Sequence, residues 1–286
     1  MSVVSLKEIL QPAFKERYGV PAINIFNDLT LEAVLEGAVK AKSPIIIQTS
    51  VKTVRSIGVE VLASMWQSMT KGIEVPVALH LDHCPNRDVI TSCLEHGWNS
   101  VLFDASELPV EENQRQTIEV VKQARAFGAS VEGEIEAITG VEDGHGSDST
   151  AKRESLETSL NFIEETGVDV FAPSIGNAHG TYKKTPVIDF DRVSDIVSRK
   201  SIPIALHGGS GLTLDQFKEL IARGCAKINI STALKEIYMK STLSFLVETE
   251  KANKWDPPSL FKATSTEIIE MVVDLTEQFG SKNKVR

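Results

Sequence analysis

The chain has 286 residues, 42% of them apolar and 24% charged, with a formal net charge of −9. This composition excludes a collagen-like, disulfide-scaffold or disordered chain, and the negative balance argues against broad binding to nucleic acid or anionic membranes. No window holds the roughly 18 consecutive apolar residues of a membrane span, the opening MSVVSLKEILQPAFKERYG lacks the apolar centre of a secretory signal, and three cysteines without CxxC spacing fit reduced thiols. A cytoplasmic location with neither a nucleic-acid nor a membrane partner is expected. In chain order, short β-branched runs occur at 20–26, 44–49, 75–80, 100–103, 130–135, 168–173, 202–207 and 226–230. Helix-period segments separate or follow them at 31–40, 59–70, 87–96, 112–127, 155–165, 190–199, 214–223 and 234–248, with a terminal helix at 265–279. Thr213 to Gln216 is a capping box, and Asn27 and Asp28 precede the first of these helices.

Eight strand–helix alternations predict a parallel sheet, because parallel neighbours need a crossover. Eight units in this length predict an α/β fold of the TIM (β/α)8 barrel type, one domain over 1–286 with a C-terminal helical extension. A doubly wound open sheet is the alternative, but no GxGxxG follows the first strand. The connection at 137–153, AITGVEDGHGSDSTAKR, is Gly-rich, polar and aperiodic. Such loops are usually functional, and in a barrel this one belongs to the C-terminal face, where active sites lie.

Three histidines fall at or just past strand ends: His83, His179 and His207. A lone histidine is more often structural, whereas three neutral imidazoles around an open fourth position make a catalytic zinc site. Asp82, beside His83, suits a general acid/base or a partner of a metal ligand; its bland reading is a strand-end residue bonded to nearby backbone. Glu132 and Glu134 share one face of their strand, and an inward buried carboxylate is costly unless paired or metal-bound. Glu142, taken alone, is a solvated loop charge. The last two strands end in HGGSG (207–211) and NIST (229–232). Gly-rich backbone and Ser/Thr hydroxyls after these strands suit a phosphate.

With these motifs assembled, the chain resembles the class II, zinc-dependent ketose-bisphosphate aldolases of the fructose- and tagatose-bisphosphate branches. The likeness runs through VSLKEIL, YGVPAINIFN, HLDHC, DASELPVEEN, VEGEIEAITGVEDG, IGNAHGTYK, LHGGSGL, KINIST and FGSKNK. It implies Zn2+ on His83, His179 and His207, with Glu134 at an alternative metal position. Asp82 matches the family's acid/base. Glu142 matches the loop residue that exchanges the dihydroxyacetone-phosphate proton. The phosphate contacts match Gly180, Lys183, Gly208, Ser210, Asn229, Ser231 and Thr232, with Gly209 in the same HGGSG turn. A sugar phosphate substrate and a homodimer or homotetramer follow from the same resemblance. Two departures stand out. Glu136 and Thr139 replace loop glycines, and Asp256-Pro257-Pro258 stands where the family shows Asp-Pro-Arg, an arginine that holds the far phosphate. Lys52 and Arg55, in SVKTVRS after the second strand, are the candidate replacements; the alternative is an aldehyde without a terminal phosphate. Two rival readings are a zinc hydrolase, which leaves the phosphate loops unexplained, and a non-catalytic companion subunit, which would be expected to lose the ligands.

Overall fold

The computed structural model describes residues 2–136, 153–178 and 186–285. Eight parallel strands close into a barrel in chain order: β1 (Val20–Asn24), β2 (Ile45–Ser50), β3 (Val77–Cys84), β4 (Ser100–Phe103), β5 (Ser130–Glu134), β6 (Val170–Ala172), β7 (Ile204–Leu206) and β8 (Cys225–Ile230). β1 pairs with both β2 and β8. Every strand residue is buried, as expected where helices cover the outside and side chains fill the inside.

Ahead of β1 lies α1 (Leu6–Glu16), a helix the sequence reading left unassigned. Ser5 and Glu8 form its capping box. Its Leu6, Leu10 and Phe14 pack with Ala22, Ala78, Ala172 and Ala205, so small strand residues at the lower end of the barrel make room for a helical plug. The helices that follow the strands are α2 (Asp28–Ala41), α3 (Val51–Ile57), α4 (Val59–Met69), α5 (Arg87–Glu95), α6 (Val110–Ala126), α7 (Leu156–Thr166), α8 (Phe190–Arg199), α9 (Leu214–Arg223), α10 (Thr232–Ala252) and α11 (Pro257–Gln278). Asn27 caps α2 and the Thr213/Gln216 box caps α9, both at the positions the sequence marks. α11 lies against α2 so closely that a Cβ on Gly37 would sit 2.6 Å from Val272 Cβ.

Three of the differences from the sequence reading have a clear local cause or consequence. β3 runs to Cys84, so Asp82 and His83 belong to the strand and do not follow it. The stretch read as a loop after β2 is α3, started by Ser50, whose hydroxyl accepts from Thr53 N–H. α11 begins at Pro257, eight positions before 265, because proline suits the first turn of a helix, where its missing N–H has no partner to lose.

Candidate active site

Within one barrel row, apolar residues give way to polar ones toward the C-terminal ends of the strands. Ala22 is followed by Asn24, Ile46 by Gln48, Ala78 by His80 and Asp82, and Ala205 by His207. Successive strand residues ordinarily point to opposite faces, so Asp82 and His83 should diverge. β3 avoids this with a register shift against β4 between Leu81 and Cys84, and His83 takes a φ of 43°. Such a left-handed value is uncommon outside glycine, and here the bulge turns both side chains toward the mouth of the barrel.

His83 Nδ1 donates to Asp104 Oδ2 at 2.7 Å, and Asp104 is itself fixed by the Ser106 hydroxyl at 2.7 Å. That bond leaves Nε2 of His83 on the side of the site. The His207 ring stands edge-on to His83, with ring centres 4.7 Å apart. Its Nε2 donates to Glu132 Oε1 at 2.6 Å, which turns Nδ1 toward Glu134, 3.4 Å away. Ligand atoms of Asp82, His83 and His207 lie within 4.8 Å of one another, and so do those of His83, Asp104 and Glu134. Asn24 Nδ2 holds Asp82 Oδ2 at 2.8 Å, and Gln48 Nε2 holds Asn24 Oδ1 at 2.7 Å. Asp82 Oδ1 has no hydrogen-bond partner among the described residues.

Beneath these groups Lys227 on β8 is fully buried, 2.9 Å from Glu132 and 2.7 Å from Asn229 Oδ1. His80 is equally buried, bonded to Ser100 through Nδ1 and 3.7 Å from Glu132. Burial raises the Glu132 carboxyl, but Lys227 and His207 outweigh it and hold it well below the usual range. Glu134, whose burial is reinforced by Asp104, Glu132 and Glu136, is pushed well above it. Burial opposes charge on His83 too, yet Asp82, Asp104 and Glu134 lift it to about 10. Asp82, Asp104, Glu132 and Glu134 thus face one buried ammonium, and the upward shift of His83 expresses the unmet demand for positive charge. Nitrogen and carboxylate donors converging in such a field fit a divalent cation.

The two anion motifs also meet. A Cβ on Gly209 would lie 2.9 Å from Asn229 O, and Ser210 Oγ accepts from Ala233 N at 3.4 Å. Gly208 has a φ of 63°, and a Cβ there would strike Ala178 O at 2.0 Å. Only glycine allows the β6 and β7 exits to approach so closely. Asn177 donates to His207 O at 2.9 Å and ties the same two exits. Ser231 is buried at the start of α10 and its hydroxyl has no hydrogen-bond partner among the described residues, while Thr232 is the first helical residue. Oriented N–H groups and hydroxyls at a helix start are suited to an anion.

Of the sequence-predicted residues, Asp82, His83, His207, Glu134, Gly208, Gly209, Ser210, Asn229, Ser231 and Thr232 gather at this end of the barrel. Glu142, His179, Gly180 and Lys183 lie outside the described residues. The sequence reading gave no role to Asn24, Gln48, His80, Asp104 or Lys227. Lys227 shares the two-residue period of Asn229 and Ser231, and that period was its available signal.

A sequence profile described as fructose-bisphosphate aldolase class-II matches residues 4–284. The chain belongs to that family. This class II aldolase is 36% identical to a sulfofructosephosphate aldolase of Alkalicoccus urumqiensis, with 100% of this chain and 99% of the relative aligned. It is 34% identical to a fructose-bisphosphate aldolase of Geobacillus stearothermophilus, with 99% of each aligned. Its fold matches the crystal structure of the YdjI aldolase from Escherichia coli K12 with a TM-score of 0.86 at 29% identity, over 99% of this chain and 100% of that one. The family is generally metal-dependent, and the two convergent donor groups of this aldolase lie where its polar inner row ends.

Proposed function

We propose that the enzyme reversibly cleaves a phosphorylated ketose, a fructose- or tagatose-type 1,6-bisphosphate or a ketose 1-phosphate, into dihydroxyacetone phosphate and an aldehyde. The observation that carries this reading is the placement of Asp82, His83 and His207 in one cluster beside the joined HGGSG and NIST turns. The relatives' names, which refer to sulfofructose phosphate and fructose bisphosphate, support a phosphorylated ketose.

His83, His207 and, outside the described residues, His179 would hold a zinc ion, with Glu134 as an alternative ligand. When bound, zinc supplies Lewis-acid polarisation of the ketose carbonyl. Asp82 takes the proton of the C4 hydroxyl as the C3–C4 bond breaks. The Asp82 carboxyl is held below its usual range because His83, Lys227, His207 and His80 overcome its burial, so it is ionised. Asn24 fixes one carboxylate oxygen and leaves Oδ1 for the substrate. Gly208, Gly209, Ser210, Asn229, Ser231 and Thr232, with Gly180 and Lys183, bind the dihydroxyacetone-phosphate half. Glu142 returns a proton to its C3 carbon. Lys227 pairs with Glu132 and keeps it in place as the acceptor for His207.

The test is synthesis in reverse. Dihydroxyacetone phosphate is offered with a panel of aldehydes to zinc-loaded protein, and product stereochemistry is determined. Ketose 1-phosphates of one C3–C4 configuration are expected. No carbon–carbon bond formation with any aldehyde would exclude the reading.

A further inference from the structure

Both roots of the 137–152 connection lie within the described residues, and they are fastened to each other. Glu136, two residues past the end of β5, is buried. Its Oε1 accepts from the Glu154 backbone N–H at 3.3 Å, at the other root. Arg192, buried in the first turn of α8, stands 3.7 Å from the same oxygen. Arg192 Nη2 also donates to Glu154 O at 3.1 Å, to Ser155 O at 3.2 Å and to Ser159 Oγ at 2.8 Å. One guanidinium thus meets the β5 exit and the start of α7 together. A second pair lies beside it. Arg153 Nη1 is 2.7 Å from Asp189 Oδ2, and Asp189 Oδ1 caps α8 by accepting from Arg192 N at 2.9 Å.

The steps described above use neither Glu136 nor Arg192, yet a buried charged pair is expensive to desolvate and persists only where further hydrogen bonds satisfy it. Position 136 is also one of the two where the sequence departs from the loop glycines of its resemblance. A glycine has no side chain with which to hold the returning chain, and it leaves the backbone free. Glu136 takes a negative φ, and its carboxylate ties the strand exit to Glu154. The connection between these roots carries Glu142.

We infer that Glu136 and Arg192 are positioning residues for the proton step assigned to Glu142, because the buried pair fixes both the point where the connection leaves β5 and the point where it enters α7. The inference rests on the cleavage reading above, which gives Glu142 that step. Neither residue touches the substrate. They act on the rate through placement, and a misplacement of about 1 Å at a reacting group can cost on the order of 100-fold. Charge-assisted hydrogen bonds from one planar guanidinium suit this task, since they set direction as well as distance.

The experiment uses full-length, zinc-loaded protein. It measures exchange of the carbon-bound hydrogen of dihydroxyacetone phosphate with solvent deuterium, together with bound zinc and amide hydrogen exchange at Glu154. Glu136→Gly is expected to slow the carbon-bound exchange by about 10- to 100-fold, with zinc content and the KM for dihydroxyacetone phosphate unchanged, and to speed amide exchange at Glu154. Glu136→Gln keeps an acceptor for Glu154 and Arg192 and should retain most of the rate. Arg192→Lys keeps the charge but cannot reach all of the same acceptors, so it should slow the step in the same direction and carries the test if Glu136→Gly does not fold. Wild-type exchange rates in Glu136→Gly and Arg192→Lys overturn the inference. So does a Glu136→Gln as slow as Glu136→Gly, which would make the carboxylate itself the acid/base, and so does a loss of rate that follows loss of zinc. A wild-type protein that neither exchanges the carbon-bound hydrogen nor cleaves a ketose overturns the cleavage reading, and the positioning role falls with it; faster Glu154 amide exchange in Glu136→Gly would then show that the tie itself stands.

Discussion

Asp82 and His83 are neighbours in sequence that must act at one point, and the bulge in β3 with its left-handed histidine makes that possible. Around them each side chain has a partner that sets its direction. Asp104 is the one that orients His83, so Asp104→Asn should weaken zinc binding by about 10- to 100-fold while leaving the far-ultraviolet circular dichroism intact; equilibrium dialysis checks it. Lys227 plays the same part for Glu132. Removing one member of a buried ion pair costs about 3–5 kcal/mol, because the other charge is left uncompensated. Lys227→Met should therefore destabilise the metal-free protein by that order in urea unfolding, and Glu132→Gln added to it should recover much of the loss. An additive double variant would show that the pair is not coupled.

At the scale of elements, the helix plug and the polar row respond to different stresses. Leu10 of α1 is fully buried against the small residues of the barrel floor. Leu10→Ala should cost about 2–5 kcal/mol by opening a cavity, read as a lower urea midpoint. Part of the pH response comes from His80, with His207, lowered to about 4, acting in the same direction. Burial, then Lys227, lowers the pKa of His80 to about 3, whereas an unfolded histidine titrates near 6.5. Between those values the unfolded chain binds a proton that the folded chain refuses, so stability falls as pH drops through that window. The urea midpoint should fall between pH 7.5 and 5.5, and His80→Gln should flatten that dependence. The strand order and all nine sequence-read helices were legible because both faces of each strand are covered and each of those helices keeps one apolar face. α1 was not, since its apolar residues meet alanines distant in sequence. Nor was the reach of β3 through Asp82 and His83, because a polar strand end in a barrel reads like a loop. The anion motifs were legible as Gly-rich turns, but Lys227 and Asp104 take their meaning from partners on other strands.

For the whole molecule, the outer face of α10 exposes Met239 (65%), Leu243 (64%), Leu246 (39%) and Val247 (41%) in a helical stripe. Apolar surface of this kind marks association, in keeping with the dimer or tetramer expected from the sequence. Sedimentation at micromolar concentration should show an oligomer, and Leu243→Glu with Val247→Glu should reduce it to the monomer; a monomeric wild type would exclude this role for the stripe. The barrel itself brings a buried, carboxylate-rich centre together with an anion-binding rim. On the proposed reading, a divalent metal held by His83, His179 and His207 enables ketose cleavage, with Asp82 beside it as the proton acceptor. The most direct measurement is the rate of dihydroxyacetone-phosphate release from a fructose- or tagatose-type ketose phosphate, taken on one preparation as isolated, after chelation and after zinc is returned. Loss on chelation, recovery with zinc, and neither zinc nor activity in His207→Ala are expected. Full activity in excess chelator, with borohydride trapping the substrate on a lysine, would contradict this reading.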